Sequence, residues 1–385
     1  MRVTDFVKIK IGIVLLFVTL LSGCRSRQSS PSNVYIDSFS EESNASFFEN
    51  VYSDVRVVPL SLDGAVLSSP FNLSVDYAEG RFLISDMQTG SIFLCAPDGS
   101  LATHISKVGR GPGEYRYVTQ CKYFNHRIVV LADGNHMIEY SEEGNLIKET
   151  QLEEDALGFF PLGNQEYALF LSRYNGESDQ EDRIVITDSS FVKKRSFLSL
   201  PYQLYNDGSH ISPVVDGKGC FLCVQQTFQQ VFKCDKDSVV TTYHYDLKGK
   251  GIPESFLKSE DYGYMLDVLM NTPDMYYLVN AFESRDYLFQ ALRHLVHGET
   301  MRIGQWLIDK RSFASRIEYA DMEAPLVQFL GPPQMLTSDN EVLYICDLSL
   351  FDSVGEKVPG FAILDELIEH KASDCILLCC KIGRD

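Results

Sequence analysis

The chain has 385 residues and carries 34 Lys and Arg against 53 Asp and Glu, a formal net charge of −19 at pH 7. So acidic a chain is unsuited to nucleic acid, because proteins bind DNA and RNA by neutralising their phosphates with basic side chains. We therefore expect no nucleic-acid partner and a soluble domain that anionic surfaces repel.

The first 24 residues have the order of a bacterial export signal. Lys8 and Lys10 precede an apolar run over residues 11–21, which ends in Leu21-Ser22-Gly23-Cys24. The run is shorter than the roughly 20 residues that a membrane-spanning helix needs. We predict a lipoprotein signal peptide over residues 1–23, with Cys24 as the lipidated first residue of the mature chain; an ordinary signal peptide is the alternative. Removing this segment leaves 31 basic and 52 acidic residues, a net charge of −21.

The polar residues that follow predict a flexible tether over residues 24–50, and the remainder, 51–385, reads as one all-β domain. Its clearest unit has four short strands separated by turn residues. These predicted strands are Asn72–Tyr77, Arg81–Ser85, Ser91–Cys95 and Leu101–Ser106.

This unit repeats along the chain. Asp86, at the end of the second strand, aligns with Asp133, 47 positions later, which is within the period of a β-propeller blade. Four less regular units follow, over 158–200, 210–247, 276–319 and 327–382. The sequence therefore predicts six blades; seven is the alternative, if 201–262 contains a further hairpin.

The last unit lacks a strand, whereas Val55–Leu60 is a strand with no unit of its own. Pairing the two would close the ring and remove an open sheet edge. Within the last unit, the apolar spacing of Phe361–His370 predicts one short helix near the C-terminus. The predicted fold is an all-β, six-bladed propeller closed by its N-terminal strand.

A glycine-rich stretch, Gly109-Arg110-Gly111-Pro112-Gly113-Glu114-Tyr115, connects the first two units. Alternating glycines suggest positive φ angles, and the proline restricts the backbone further. One interpretation is a rigid corner that Glu114 caps and Tyr115 covers. The other is an anion or ligand site, with Arg110, Glu114 and Tyr115 as the candidate binding residues.

This stretch, the Asp-Gly hairpins and the lipobox-like Leu21–Cys24 resemble a family of six-bladed, NHL-like β-propeller lipoproteins from Bacteroides-type gut bacteria. The resemblance implies a protein anchored to the outer membrane through its lipid alone. Surface-exported members often carry acidic residues after the cysteine, whereas this chain has Arg25-Ser26-Arg27. We therefore expect the domain to face the periplasm.

Two pairs have the spacing of metal ligands, Cys220 with Cys223 and His294 with His297. On a strand, residues three apart point to opposite faces, so neither pair can bind one ion. There is no Gly-x-Ser-x-Gly element, and the eight histidines lie in different units. We predict no metal site, no catalytic residue and no cofactor.

The remaining cysteines lie mostly in apolar strands, which favours buried free thiols over disulfides. Trp306 and Tyr276-Tyr277 could stack on a sugar, but aromatic residues in strands more often pack between blades. These observations favour an anchored, monomeric binding or scaffold module whose partner is an envelope protein or a glycan. The alternative is a carbohydrate-active or lactonase-like enzyme with carboxylates at the central channel.

Overall fold

The computed structural model describes residues 30–163, 165–171, 182–199, 210–215, 219–224, 229–252, 274–296, 301–351 and 374–383. Within these ranges the chain from Ser32 onward is one compact unit built of 25 strands. Most strands belong to four-stranded antiparallel sheets in which consecutive strands are neighbours. Each such sheet is one blade, and the first strand of each full blade is its innermost.

Each of the first three blades is a separate sheet. Blade 1 contains β3 (Leu73–Ala78), β4 (Arg81–Asp86), β5 (Ser91–Cys95) and β6 (Leu101–Ser106). Blade 2 contains β7 (Val118–Phe124), β8 (Arg127–Ala132), β9 (His136–Ser141) and β10 (Leu146–Gln151). Blade 3 contains β11 (Ala156–Gly163), β12 (Glu166–Leu171), β13 (Asp182–Thr187) and β14 (Lys193–Ser199). The strands predicted for the first unit agree with blade 1 to within one residue.

Blades 4 and 5 are joined into one sheet because their inner strands touch through the parallel pairs Val214–Glu283 and Val215–Ser284. Blade 4 contains β15 (His210–Val215), β16 (Phe221–Val224), β17 (Gln230–Cys234) and β18 (Val239–Tyr245). Blade 5 contains β19 (Met275–Ser284), β20 (Tyr287–Leu295), β21 (Arg302–Asp309) and β22 (Ser315–Asp321).

Blade 6 confirms the predicted closure of the ring. It contains β23 (Met335–Leu336), β24 (Glu341–Asp347), β25 (Cys375–Ile382) and, as its outermost strand, β2 (Tyr52–Pro59) from the start of the domain. β2 pairs antiparallel with β25 from Tyr52–Ile382 to Pro59–Ile376. The second strand of the chain and the last one thus lie in one sheet, and the blade count is six.

The predicted tether extended to residue 50, but the compact unit already begins at Ser32. β1 (Ser32–Ile36) pairs in parallel with β18 at the outer edge of blade 4. Asn44 and Ala45 then donate backbone hydrogen bonds to Ile317 of blade 5, and a single helical turn, Phe47–Val51, leads into β2. Composition alone missed this segment because its polar residues lie on the exposed side of the blades.

Apolar side chains from facing sheets fill every space between consecutive blades. Cluster members include Leu94 with Tyr123 between blades 1 and 2, and Phe170 with Phe221 between blades 3 and 4. The largest cluster joins blade 6 to both of its neighbours. Burying one large apolar side chain stabilises a fold by about 1.5–3 kcal/mol, so the packing between blades holds the ring together.

Trp306 and Tyr276 lie fully buried between blades 4 and 5, which confirms the prediction that these aromatic residues pack between blades.

The nine cysteines of the described chain are free thiols, eight of them buried, in agreement with the sequence. Burial raises the pKa of Cys121 to about 12. Such thiols stay protonated and act as small apolar side chains.

The helix predicted over Phe361–His370 lies outside the described residues. The structure does have a short helix near the C-terminus, α1 (Pro325–Leu330), ahead of β23. No helix in the described ranges combines the length and the apolar character needed to cross a bilayer.

The connections differ between the two sides of the ring. On one side, here the turn side, hairpins join the first strand to the second and the third to the fourth, each with two to five residues between strands. On the other, here the loop side, lie the turns between second and third strands and the connections from blade to blade. These reach 29 residues, between β18 and β19. Because ligand sites are usually built from loops on a rigid scaffold, the loop side is the place to look for one.

Candidate functional site

The connection from β6 to β7, residues 107–117, contains the glycine-rich stretch and is called here the glycine corner. Its ends are held together by backbone hydrogen bonds from Gly109 N to Tyr115 O (2.9 Å) and from Tyr115 N to Lys107 O (3.0 Å). A tight turn from Gly111 O to Glu114 N lies between them. The corner is therefore a closed loop with a defined shape.

The three glycines are required for two different reasons. Only Gly113 has the positive φ expected of all three, at 66°. A Cβ at Gly109 would lie 2.0 Å from Oε2 of Glu114, and one at Gly111 would lie 3.1 Å from the same atom. The Glu114 side chain passes against the backbone here, so a Cβ at Gly109 would force it to move and a Cβ at Gly111 would require a smaller shift, a contact that sequence could not show.

Glu114 caps the corner from within. Its Oε2 accepts a hydrogen bond of 2.7 Å from the Gly111 backbone N–H, while Oε1 has no hydrogen-bond partner among the described residues. The carboxylate is half-buried. This is the capping role that the structural interpretation assigned to it, and it leaves one oxygen available.

Tyr115 covers the corner rather than lining it. The side chain is fully buried, and its hydroxyl donates a 2.7 Å hydrogen bond to the carbonyl of Gly90 in blade 1. Tyr140 of blade 2 makes the matching contact with the Gly113 carbonyl at 2.6 Å. Burial raises the pKa of both phenols, so both stay protonated donors. From its buried position Tyr115 can orient the corner but cannot reach a ligand.

Arg110 is exposed on the rim of a cleft between the corner and blade 2. The cleft has a volume of about 690 Å³. Its lining consists of residues 109–112, Glu114, Arg116, Asp133, His136 and Glu149. Arg110 and Glu114 both line the cleft, together with four charged or titratable side chains that sequence reasoning missed.

Asp133 and Glu149 are fixed by the backbone of the corner. Oδ1 of Asp133 accepts hydrogen bonds from the N–H groups of Arg116 (3.0 Å) and Tyr117 (3.1 Å). Oε2 of Glu149 accepts from the Gly113 N–H at 2.7 Å, and its Oε1 has no partner within the part of the chain that the structure describes. Both carboxylates are thus oriented before any ligand arrives.

The sequence repeat indicated one of these residues, Asp133, through its alignment with Asp86. Asp86, the counterpart of Asp133, accepts hydrogen bonds from the backbone N–H groups of Ser68, Gln88 and Thr89. Burial opposes ionisation, but these hydrogen bonds lower the pKa of Asp86. The aspartate that ends the second strand therefore caps loop-side backbone in both blades. Glu149 gave no comparable signal, because its role depends on how blade 2 packs against the corner.

The cations at the cleft have different surroundings. Nε of Arg116 lies 3.4 Å from Oδ2 of Asp133, an exposed ion pair, whereas Arg110 makes no ion pair with any described residue. His136 Nε2 is 3.7 Å from Oε2 of Glu149. The site thus offers one uncommitted guanidinium beside carboxylate oxygens that can accept hydrogen bonds.

The structure describes both members of the spaced Cys pair but only one member of the spaced His pair. Cys220 and Cys223 are buried thiols, and His294 is buried and stacked on Tyr276 with ring centroids 3.9 Å apart. Burial lowers the pKa of His294. His297 lies outside the described residues. Within the described ranges no three His, Cys, Asp or Glu side chains are arranged to hold a metal ion.

A family of 6-bladed beta-propellers matches residues 25–322 of the chain. Among solved structures, a protein described as exported, from Bacteroides fragilis, is similar over 92% of this chain and 100% of its own, with a TM-score of 0.72 at 17% identity. A member of the duf4221 family from Bacteroides vulgatus is similar over 87% of this chain and 98% of its own, with a TM-score of 0.54 at 10% identity. At such identities the likeness concerns the fold. No curated protein matches the chain.

Proposed function

The chain belongs to the family of 6-bladed beta-propellers, and from this premise we propose that it is a lipid-anchored envelope protein whose propeller is a binding module. The observation that carries the binding role is the cleft at the glycine corner. There a solvent-exposed Arg110 stands beside carboxylates that the backbone already holds in place. Such pre-orientation lowers the entropy that a site loses when its ligand binds.

The ring supports this role by its rigidity. Pairing of β2 with β25 closes the ring, and β1 extends the sheet of blade 4. Loops mounted on such a scaffold keep their positions, so the loop side can present a fixed surface to a partner. Short hairpins on the turn side leave less room for a site of this kind.

The anchor is proposed from the sequence. The Leu21–Cys24 pattern supports lipidation at Cys24, and an exported protein among the similar structures is in keeping with an envelope location. A multiply acylated cysteine would hold the domain at a membrane stably, since each buried CH₂ contributes about 0.8 kcal/mol. We further propose the outer membrane, with the propeller in the periplasm and acting as a monomer.

Anchoring and binding can be tested separately. Cys24→Ala should move the protein from the membrane to the soluble fraction after detergent-free lysis; unchanged sedimentation would refute the lipid anchor. For binding, a photo-reactive amino acid replaces Arg116, an exposed residue of the cleft lining to which no ligand contact is assigned, or, as a control, Asp98 in the exposed turn between β5 and β6. Adducts in cells from position 116 but not from 98 are expected. Equal yields from both positions, or none from 116, would refute a binding role for this cleft.

The enzyme alternative has less support from the described residues. Two carboxylates of the inner strands, Asp76 and Glu283, are engaged by lysines: Asp76 by Lys122 at 2.8 Å, Glu283 by Lys233 at 2.9 Å and also by Lys310. A glycosidase needs two carboxyl groups about 5–9 Å apart that face a substrate. Enzymatic activity therefore remains a hypothesis without an observation in its favour.

A further inference from the structure

We propose that the cleft at the glycine corner binds an acidic carbohydrate, that is, a sugar ring with a carboxylate next to free hydroxyl groups. The inference rests on the proposed function, because it names the ligand class of the same cleft. Some polar atoms of the cleft are already engaged by the protein, and the others are available to a ligand.

The available cation defines one end of the ligand. Arg110 is exposed on the cleft and has no ion-pair partner among the described residues, whereas Arg116 is paired with Asp133. A guanidinium presents parallel N–H donors that match the two oxygens of a carboxylate, and such bidentate pairs are among the stronger polar contacts. One uncommitted arginine calls for one anionic group on the ligand.

The hydrogen-bond acceptors that remain available define the rest of the ligand. Glu114 and Glu149 each use Oε2 for a backbone N–H of the corner, and Oε1 of each has no partner within the described chain. An ionised carboxylate only accepts hydrogen bonds, so its natural partner is a hydroxyl or an ammonium group. Because both side chains are fixed by the backbone, the two oxygens are pre-positioned acceptors. A sugar supplies several hydroxyl donors close to its carboxylate.

The shape and lining of the cleft favour a saccharide over a peptide or a free amino acid. Its volume of about 690 Å³ lies within the usual 300–1,000 Å³ of ligand sites and is larger than a free amino acid requires. Apolar and extended peptides are held by apolar pockets or by an open strand edge. Of the side chains that line this cleft in the described chain, Pro112 is the only apolar one.

An exposed aromatic ring stands next to these polar groups. The Tyr117 side chain is 48% exposed, and the Arg116 guanidinium lies 6.0 Å from its ring centroid. A tyrosine ring offers a flat apolar face against which the C–H side of a pyranose can pack. The lining of the cleft thus offers a cation and fixed acceptors, and the exposed ring of Tyr117 follows Arg116 directly in the chain, outside that lining.

The test is calorimetric titration of the purified full chain with four acidic probes: trimers of galacturonate, mannuronate and glucuronate, and sialyllactose. A neutral galactose trimer is the matched uncharged probe. We expect at least one acidic probe to bind, and its neutral counterpart to bind at least tenfold more weakly. Arg110→Ala should weaken binding about tenfold or more, because hydrogen bonds to charged groups are worth about 1.5–3 kcal/mol.

Two further variants separate the contacts. Glu149→Gln keeps a carbonyl oxygen for the Gly113 N–H but replaces an acceptor with a donor, so it should weaken binding without lowering the melting temperature. Arg311→Ala removes an exposed arginine that pairs with Asp286 in blade 5, away from the cleft, and should leave binding unchanged. Equal losses for Arg110→Ala and Arg311→Ala would show a general charge effect and overturn the proposal.

Binding of none of the four acidic probes would overturn the ligand class, as would equal binding of the neutral trimer. The cross-linking experiment at position 116 then decides what remains. Adducts without saccharide binding would mean that the cleft is a site for another partner, so the binding module stands and the sugar is wrong. Failure of both experiments would remove the proposed function as well.

Discussion

The junction between blades 1 and 2 carries two groups of carboxylates that are used in opposite ways. In one group Asp76 binds Lys122 through Oδ1 and the Tyr123 N–H through Oδ2, and Glu79 caps Asn125 and His126 with its two oxygens. In the glycine corner Glu114 and Glu149 each give one oxygen to the backbone and keep the other available.

The two groups show how a structural carboxylate differs from a candidate binding one. Both groups cap backbone N–H groups, so capping by itself does not separate them. The number of oxygens already in use separates them. Where both oxygens are used, as in Asp76 and Glu79, a ligand would have to displace an existing bond. Where only one oxygen is used, the protein fixes the direction of the second oxygen, an acceptor that it does not itself need.

The largest expected effect tests the fully engaged group. Asp76→Ala removes the partner of Lys122, whose side chain is only 12% exposed, and leaves the Tyr123 N–H without its acceptor. Breaking one side of a buried ion pair typically costs about 3–5 kcal/mol. We expect a loss of that order in urea denaturation. The double variant Asp76→Ala/Lys122→Met should recover part of it, and a loss below about 1 kcal/mol would show that the pair is solvated.

The next prediction concerns the packing of the corner. Gly109→Ala places a Cβ 2.0 Å from Oε2 of Glu114, so either the side chain or the loop must move. Overpacking of this kind costs about 1–3 kcal/mol. In a Glu114→Ala background the same substitution should cost much less, because the clashing atoms are gone. Additive losses in this double-mutant cycle would contradict the proposed reason for the glycine.

A smaller effect is expected from pH. The hydrogen bond from the Tyr123 hydroxyl, together with His126, lowers the pKa of the half-buried Glu142 from its usual 4.5. A carboxyl whose pKa is lower in the folded state contributes stability above its unfolded pKa and loses it as the pH falls through the folded one. Stability should therefore fall more steeply below pH 4.5 in the wild type than in Glu142→Gln. Identical acid profiles by thermal melting would exclude this contribution.

The smallest expected effect on stability is at Arg110. Since its side chain is exposed and has no ion-pair partner in the described ranges, Arg110→Ala should change the free energy of unfolding by no more than about 0.5 kcal/mol. If saccharide binding is lost at the same time, Arg110 belongs with the candidate binding side chains and not with the structural ones. A large loss of stability would instead assign Arg110 to the structure of the corner.

The amino-acid sequence by itself determined the architecture of this protein. Alternating apolar residues and Gly, Asn and Asp turns specify strands and hairpins locally, and the unpaired strand at 55–60 matched the incomplete last unit. Those signals are short-range or simple to count, which explains why the first blade was predicted almost to the residue.

Only the tertiary structure decided the composition of the cleft and the role of each glycine. Glu149 is 36 positions from Gly113, and Asp133 is 17 from Arg116, and neither distance in sequence says that the groups meet. Likewise β1 pairs with β18 more than 200 positions away, so its polar residues read as a tether. Hydrogen bonds between blades depend on how the sheets are rotated against each other, and the composition of a single strand does not specify that rotation.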